Sequence, residues 1–290
     1  MKPAAFDYHD PRTVEEALEL LARHGGEAKL LAGGQSLVPI LNFRLSKPQV
    51  LIDLNRIPAL AYLRPWEGGL AVGAMTRQRA AERSPLVQER CPLLAEALPI
   101  VGHAQIRNRG TIGGSLAHAD PAAELPAVAT ALDAALVLRG PGGERVVGAS
   151  EFFVSYLTTS LEPTEILVEI RVPAWPEGAG WAFEELSRRH GDFAIVGVAA
   201  IISLGAGDTC TAARLALAGA APTPLRARRA EQALVGRPLT PEAIGEAAAA
   251  AARQADPEPD IHASAEYRRE MVRVFTARAI RAATARARRA

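Results

Sequence analysis

Two short segments with paired glycines place the strongest constraint on how this chain folds. They read AGGQSL over residues 32–37 and TIGGSL over residues 111–116. Glycine has no Cβ to keep a ligand from the backbone, and it adopts positive φ angles that turn several N–H groups toward one point. A single Gly-Gly turn more often just connects two elements, but two such segments in neighbouring parts of the chain predict a site for a phosphate-bearing ligand.

Neither glycine segment fits the common phosphate-binding or nucleophile motifs. The G-x-G-x-x-G spacing of a Rossmann dinucleotide site is absent. The G-x-S-x-G elbow of serine hydrolases fails because Val38 and Ala117 stand where its second glycine is required. The chain has three lysines, Lys2, Lys29 and Lys47, and none follows a glycine, so a G-x-x-x-x-G-K phosphate loop is excluded.

The composition excludes further classes of function. Lys and Arg number 33 against 32 Asp and Glu, so the formal net charge of +1 offers no field for a nucleic acid. Cys91 and Cys210 are far apart, and no two of the six histidines have the i, i+4 spacing of a helical zinc pair, so no metal site is predicted. No stretch reaches the roughly 20 apolar residues of a membrane span, and residues 1–10 lack the apolar part of a secretory signal, so we expect a cytoplasmic protein.

The length of 290 residues allows two or three domains, and the pattern divides the chain near residues 57 and 174. Residues 1–57 predict a β-α-β-α-β unit whose first helix begins at a capping box from Thr13 to Glu16. Residues 58–174 predict a second unit, which ends before a linker rich in Pro and Gly. Residues 175–290 predict a sheet followed by three Ala-rich helices, so the chain is predicted to be α+β.

The predicted elements follow from hydrophobic periodicity and turn residues. Strands are expected over 28–32, 50–54, 134–139, 145–147, 166–172, 181–189, 194–204 and 211–218, with a strand pair turning at 67–69. Helices are expected over 36–43, 93–101, 121–132, 225–235, 241–254 and 263–286, and over 76–83 with Thr76 as the cap. Both glycine segments are predicted to be loops, and the first of them opens a helix.

A polar stretch surrounds the second glycine segment. Residues 106–126, IRNRGTIGGSLAHADPAAELP, hold more polar residues and glycines than a purely structural loop requires. Together with AGGQS over 32–36, residues 158–173 and RRHGDFA over 188–194, this stretch resembles the FAD-binding medium subunit of the molybdenum hydroxylases, the xanthine dehydrogenase and carbon monoxide dehydrogenase family. The likeness extends over the whole chain.

The resemblance implies a two-part FAD-binding domain of the PCMH, vanillyl-alcohol oxidase-like type, followed by a C-terminal antiparallel sheet with a three-helix module. The glycine segments would wrap the FAD diphosphate and ribityl chain, and other residues would lie near the flavin ring. The implied FAD-binding residues are Ala32, Gly33, Gly34, Gln35, Ser36, Leu37, Thr111, Ile112, Gly113, Gly114, Ser115, Glu124, Leu167, Asp192 and Phe193. No side chain is assigned a catalytic or metal-binding role.

Four positions depart from the pattern of the family. Glu124 stands where Asp is usual, and Glu185 stands where several members have Lys. Ser115 stands where Asn or Asp is common, and Gln35 where His is frequent. The resemblance therefore implies an FAD site in which the charges near the flavin ring differ from those of other members.

The resemblance also implies partners. The FAD would be bound non-covalently, while a large subunit holds the molybdenum cofactor and a small subunit holds [2Fe–2S] clusters, in a dimer of heterotrimers. Electrons would pass from those clusters through the FAD to NAD, a quinone or O₂. Two separated cysteines agree with metal centres held by other chains, because a [2Fe–2S] cluster ordinarily takes four ligands.

Two alternatives stay open from the residues alone. One is a stand-alone PCMH-type flavin oxidoreductase, of a kind that often fixes its flavin covalently. The other is a non-catalytic protein that uses the glycine segments to bind a different phosphorylated ligand. The substrate of a whole complex cannot be read from this chain, because the molybdenum subunit would select it.

Overall fold

A computed structural model describes residues 1–289, and three β-sheets organise the chain. One sheet is formed by residues 7–53, a second by residues 63–172 and a third by residues 180–226. Helices connect and cover the strands in each part. The α+β class predicted from the sequence is confirmed.

The first sheet has three parallel strands, β1 (Asp7–His9), β2 (Ala28–Leu31) and β3 (Val50–Asp53), which lie in the order β1-β3-β2. Helices α1 (Val14–His24) and α2 (Leu37–Asn42) connect them, as the β-α-β-α-β prediction required. The Thr13 hydroxyl oxygen accepts a hydrogen bond from the Glu16 amide at 3.1 Å and so caps α1. The Glu16 carboxylate accepts a hydrogen bond from the Arg12 amide at 2.7 Å. In a capping box the donor would be the amide of Thr13, the N-cap residue itself.

The second sheet has five antiparallel strands and belongs to the middle of the chain. The strands are β4 (Leu63–Trp66), β5 (Gly69–Gly73), β6 (Ala135–Gly140), β7 (Gly143–Gly148) and, after the small hairpin of β8 (Phe153–Ser155) and β9 (Thr158–Thr159), β10 (Ile166–Val172). They lie in the order β4-β5-β10-β6-β7. The helices of this part are α3 (Gln78–Glu82), α4 (Pro85–Arg90), α5 (Pro92–Ala97), α6 (Ala104–Arg109), α7 (Ile112–His118), α8 (Glu124–Ala131) and α9 (Ala149–Phe152).

Two expectations for the middle of the chain were wrong. Thr76 does not cap α3, because its hydroxyl is bonded to the backbone of Tyr62, donating to the carbonyl at 2.8 Å and accepting from the amide at 3.1 Å. The second glycine segment is not a loop, because α7 begins there and Thr111 is its N-cap. Glycine has a low helix propensity, so this helix is stabilised mainly by its tertiary packing, through the buried side chains of Ile112 and Leu116.

The third sheet has four antiparallel strands in sequence order, and three helices follow it. The strands are β11 (Gly180–Leu186), β12 (Val196–Leu204), β13 (Cys210–Ala218) and β14 (Leu225–Arg226), and the helices are α10 (Arg228–Leu234), α11 (Pro241–Gln254) and α12 (Ala265–Ala287). Helix α12 lies against β11 and β12. Across residues 1–289, none of the helices combines the length and the apolar character that a membrane crossing requires.

The central strands of the five-stranded sheet, β5, β6 and β10, are largely buried on both faces and so join the parts of the chain. Leu136 and Leu138 of β6 pack into the core formed with the surrounding helices. Val137, which points to the opposite face, packs into the core of the first sheet. The helical core also contains Phe183 and Ile201 of the third sheet. The second glycine segment is bonded to Ala74 and Thr76, just after β5 of this sheet.

Candidate functional site

The structure brings the two glycine segments into direct contact. The first segment connects β2 to α2, and the second forms the first turn of α7. A Cβ added to Gly33 would lie 2.4 Å from the carbonyl oxygen of Arg109 and 2.7 Å from the Cα of Gly110. A Cβ added to Gly114 would lie 3.2 Å from the Cβ of Ala32. The backbone of the first segment thus touches the two residues that precede the second segment, which only glycine allows at Gly33.

The first segment offers free hydrogen-bond donors. Within residues 1–289, the backbone amides of Gly33, Gly34, Gln35 and Ser36 donate no hydrogen bond to another protein group. Gly34 has a φ of +74°, a left-handed conformation that lets successive N–H groups converge on one anion. The Gln35 side chain donates to the Gly33 carbonyl at 3.1 Å and closes the turn. Such a cradle of free amides suits a phosphate or diphosphate.

The second segment is different, because its amides are already bonded within the protein. They are Ile112 N to Thr76 O at 3.0 Å, Gly113 N to Ala74 O at 2.9 Å, Gly114 N to Thr111 Oγ1 at 3.0 Å and Ser115 N to Thr111 O at 3.2 Å. This segment can offer a ligand the Thr111 and Ser115 hydroxyl groups, whereas the Cα of Gly114 faces the protein, since a Cβ there would lie 2.5 Å from the Thr111 Oγ1. Gly113 has a packing role, because a Cβ there would lie 2.5 Å from the Cβ of Ala74.

A polar bridge that the sequence did not reveal joins the two segments. The Asn55 side-chain amide donates to the Ala32 carbonyl at 2.8 Å. The Arg77 guanidinium donates both to the Asn55 side-chain oxygen and to the Arg109 carbonyl. Burial, together with the neighbouring Arg109 charge, lowers the pKa of Arg77 from its usual value. Asn55 and Arg77 thus fix the backbone on both sides of the Gly33 contact.

The bridge continues to the edge of the first sheet. Asp53 accepts hydrogen bonds from the Asn55 amide at 2.9 Å and from the Tyr8 hydroxyl at 2.6 Å. The hydrogen bond to Asp53 raises the pKa of Tyr8 to about 12. The sequence held one signal for this arrangement, since Asp followed two residues later by Asn at the end of a strand is typical of an Asx-turn. Nothing in the sequence pointed to Arg77.

The remaining predicted residues lie farther along the chain, around the start of α8. Glu124 is the first residue of α8 and is only 3% exposed, while Leu167 is buried in β10. Asp192 and Phe193 are exposed on the connection between β11 and β12, with Phe193 54% exposed. The Ala194 amide of this connection donates to the Ala122 carbonyl at 3.3 Å, which ties it to the turn before α8.

Glu124 has a partner that was outside the predicted site. Burial, reinforced by the charge of Asp120, raises the pKa of Glu124 to about 7. Burial and the charge of Glu124 raise the pKa of Glu185 in β11 to about 8. Both carboxylate oxygens of Glu185 are buried without a hydrogen-bond partner. The acidic side chains of Asp120, Glu124 and Glu185 therefore lie close to one another around the start of α8.

Comparison with known proteins identifies the family. Residues 4–175 match the family described as FAD binding domain in molybdopterin dehydrogenase. The chain belongs to this family of flavoprotein subunits. Residues 181–283 match the CO dehydrogenase flavoprotein C-terminal domain, so the FAD-binding domain is followed by a second domain of the same kind of subunit. The resemblance found in the sequence is confirmed.

Relatives match the chain from end to end. It is 47% identical over 288 residues to the 6-hydroxypseudooxynicotine dehydrogenase complex subunit alpha of Paenarthrobacter nicotinovorans, covering 99% of this chain and 97% of that one. It is 44% identical over 286 residues to the carbon monoxide dehydrogenase medium chain of Hydrogenophaga pseudoflava, covering 99% of each. A solved structure of carbon monoxide dehydrogenase from Hydrogenophaga pseudoflava has a TM-score of 0.97 and 46% identity over 99% of both chains.

Asn55→Ala should weaken FAD binding by about fivefold to tenfold, because it frees the Ala32 carbonyl and removes the acceptor of Arg77, and one neutral hydrogen bond contributes about 1 kcal/mol. Titration of the apo-protein with FAD measures the change. Asn42→Ala is the matched control, since the Asn42 side chain makes no hydrogen bond within residues 1–289. Equal dissociation constants for the Asn55 variant and the wild type would contradict a positioning role for the bridge.

Proposed function

We propose that this chain is the FAD-binding medium subunit of a molybdenum-containing hydroxylase or dehydrogenase complex. In this proposal, it receives electrons from [2Fe–2S] clusters in a small partner subunit and delivers them to NAD, a quinone or O₂. A large partner subunit holds the molybdenum cofactor and selects the substrate, and the complex is a dimer of heterotrimers. The observation that carries the proposal is the cradle of free amides over residues 33–36, closed by a second glycine segment in a chain of this family.

The amides of the first segment are proposed to bind the diphosphate. They supply donors without a lysine, and the left-handed Gly34 orients them. The hydroxyl groups of Thr111 and Ser115 are proposed to bind the ribityl side, and Leu167, Asp192 and Phe193 to lie around the ring. When bound, FAD supplies the redox chemistry, and the chain positions it and sets its surroundings. Residues 1–57 and 58–174 are proposed as the two parts that enclose it, with 175–290 as the third domain.

The cysteines support placing the iron–sulfur and molybdenum centres in other chains. The sequence contains two, and both are buried. Burial raises the pKa of the Cys91 thiol to about 12 and that of the Cys210 thiol to about 11, which disfavours the thiolate that metals require. Two cysteines also fall short of the four ligands that a [2Fe–2S] cluster takes.

The chain purified alone, or reconstituted with FAD, should show the visible absorption bands of oxidised flavin, and acid should release the flavin into the supernatant. Absence of bands after reconstitution would contradict the proposal in favour of a protein that binds another phosphorylated ligand. Flavin that stays with the acid-precipitated protein would contradict it in favour of a covalent flavin oxidoreductase. Co-expression with large and small subunits from the same genome should give a complex that purifies through a tag on any one chain.

A further inference from the structure

A histidine that the proposed site does not use packs on the loop that carries Asp192 and Phe193. This β11–β12 loop comprises residues 187–195. His103 immediately precedes α6, and its side chain does not cap that helix. The His103 ring instead covers Gly191, since a Cβ added to Gly191 would lie 2.6 Å from the Cε1 and Nδ1 atoms of the ring. The middle part of the chain therefore contacts the loop of the third sheet directly.

The contact requires glycine in the loop. Gly191 has a φ of +88°, a conformation that residues with a Cβ rarely adopt. An added Cβ would also lie 3.1 Å from the carbonyl carbon of Gly102. The His190 ring lies beside the contact, with its centroid 6.1 Å from that of the His103 ring. The loop and the segment before α6 thus approach as closely as their backbones allow.

The tip of the β11–β12 loop has few other contacts that hold it. Within residues 1–289, the backbone amides of residues 189–191 donate no hydrogen bond to a protein group. The two ends of the loop are tied to neighbouring segments, by the bond from Ala194 N to Ala122 O at 3.3 Å and by the contact of Arg188 Nη1 with His262 Nδ1 at 3.2 Å. The tip itself is therefore held mainly by its packing under His103.

The segment that bears His103 is fixed by a buried arginine. Arg107 of α6 is 6% exposed, and its guanidinium donates to the carbonyls of Val101 and Gly102 at 3.0 and 2.9 Å. The same guanidinium donates to the Glu82 carboxylate of α3 at 2.8 Å. Charge-assisted bonds of this kind are the strong ones, and breaking a buried ion pair is costly. His103 therefore extends from a rigid base.

Helix α6 connects this contact to the cradle of free amides over residues 33–36. At the end of α6, the carbonyl oxygen of Arg109 lies 2.4 Å from a Cβ added to Gly33. The six residues of α6 extend about 9 Å. The β11–β12 loop packs at the beginning of α6 and the cradle at its end, so α6 sets the distance between them. A ligand that binds both must span this distance.

We propose that His103 is a positioning residue for the flavin ring, because it covers Gly191 and so holds Asp192 and Phe193 in place before FAD binds. This proposal rests on the proposed function, which puts those two residues around the ring. His103 itself has no contact with FAD and transfers no proton in this proposal. A loop that is ordered in advance costs less free energy on binding than one that must be ordered by the ligand. His103 should therefore raise the affinity for FAD, and not that for a ligand that stops at the cradle.

Titration of the full-length apo-protein with FAD and, separately, with ADP tests the proposal. His103→Ala should bind FAD about fivefold more weakly, as expected when a loop side chain must be ordered on binding. Its affinity for ADP should equal that of the wild type, because the cradle lies at the other end of α6. His103→Phe should bind FAD as the wild type does, because it keeps a ring over Gly191. Gln105→Ala is the matched control, since Gln105 is exposed on the same helix.

A second substitution tests whether His103 acts through Gly191. Gly191→Ala should weaken FAD binding at least as much as His103→Ala, because the new Cβ displaces the loop from the His103 ring. If both residues act through one contact, the double variant should bind FAD no more weakly than Gly191→Ala alone. The visible circular dichroism of bound flavin, which reports the surroundings of the ring, should decrease in His103→Ala and return in His103→Phe.

The outcomes separate this proposal from the proposed function. Equal FAD affinities for His103→Ala and the wild type, equal losses of FAD and ADP affinity, or additive losses in the double variant would overturn the positioning role and leave the FAD subunit intact. Wild-type protein that binds no FAD would overturn both. If His103→Ala does not fold by far-ultraviolet circular dichroism, Gly191→Ala replaces it, with the same loss of FAD affinity at unchanged ADP affinity expected.

Discussion

Gly34→Val should lower the affinity for FAD by at least about a hundredfold while leaving most of the chain folded. The residue has a φ of +74°, which costs a residue with a Cβ about 1–2 kcal/mol, and more for a β-branched one. The new side chain would also press on Val38 and Leu31, whose carbons lie 3.1 and 3.3 Å from an added Cβ. Relief of this strain rotates the free amides out of their common orientation. Losing two hydrogen bonds to a charged group costs about 3–6 kcal/mol, which is a hundredfold or more.

Flavin content after purification and FAD titration of the apo-protein measure this effect, and circular dichroism checks the fold. Gly26→Val is the matched control. Gly26 does not have a left-handed φ, and an added Cβ there has no atom within 4 Å, so the same substitution meets neither strain nor contact. A Gly34→Val protein that retains stoichiometric flavin would show that the first segment does not form the diphosphate site.

The strands and long helices could be predicted because their signals are local. The strand at 166–172 and the helix at 241–254 have the predicted bounds, since an apolar run or a capped amphipathic stretch carries its own boundaries. Helices α6 and α7 were missed because they are short and glycine or polar residues weaken their pattern. Helix α7 is held by contacts with Ala74 and Thr76, which lie more than thirty positions earlier in the chain, and α6 packs against α3.

Some residues of the site could likewise be predicted from the sequence, and others could not. The glycine segments were visible because glycine itself is the signal. At Gly33, however, the missing Cβ makes room for the backbone of Arg109 and Gly110, a contact that the sequence did not predict. Asn55 and Arg77 were not visible, because their partners are backbone carbonyls at Ala32 and Arg109, and any polar residue pattern is compatible with such bonds. In the sequence, Glu185 stood out only because it is acidic where several members of the family have a basic lysine. Its burial near Glu124 depends on how α8 packs on β12 and β13, which no local pattern specifies.

The two glycine segments have different expected roles, because the backbone amides of the first are free and those of the second are bonded. Substitutions in the first segment should act mainly on ligand affinity, because its amides are free. Substitutions at Gly113 should act mainly on folding, because that backbone is packed against Ala74 and its amide is already bonded. The two similar motifs thus differ at one junction, because within residues 1–289 the backbone amides of the first are free for a ligand and those of the second are bonded inside the protein.

The chain with FAD bound but without partners should be reduced by dithionite or a reduced pyridine nucleotide, and not by a purine, an aldehyde or carbon monoxide. Oxidation of such substrates needs the molybdenum centre and a relay, and two buried cysteines with raised pKa values cannot supply the four ligands of a [2Fe–2S] cluster. Loss of the visible flavin band under anaerobic conditions is the measurement. Metal analysis of the same sample should find neither iron nor molybdenum at stoichiometric levels.

The matched experiment adds the partners. When the chain is co-purified with its large and small subunits, the substrate of the complex should bleach the flavin band, because electrons then have a path to it. Removing the flavin by the Gly34→Val substitution should leave the iron–sulfur absorption responsive to substrate while abolishing transfer to the acceptor. Stoichiometric iron in the lone chain, or flavin reduction by substrate without partners, would mean that this subunit carries out chemistry of its own and does not act as a relay between two other sites.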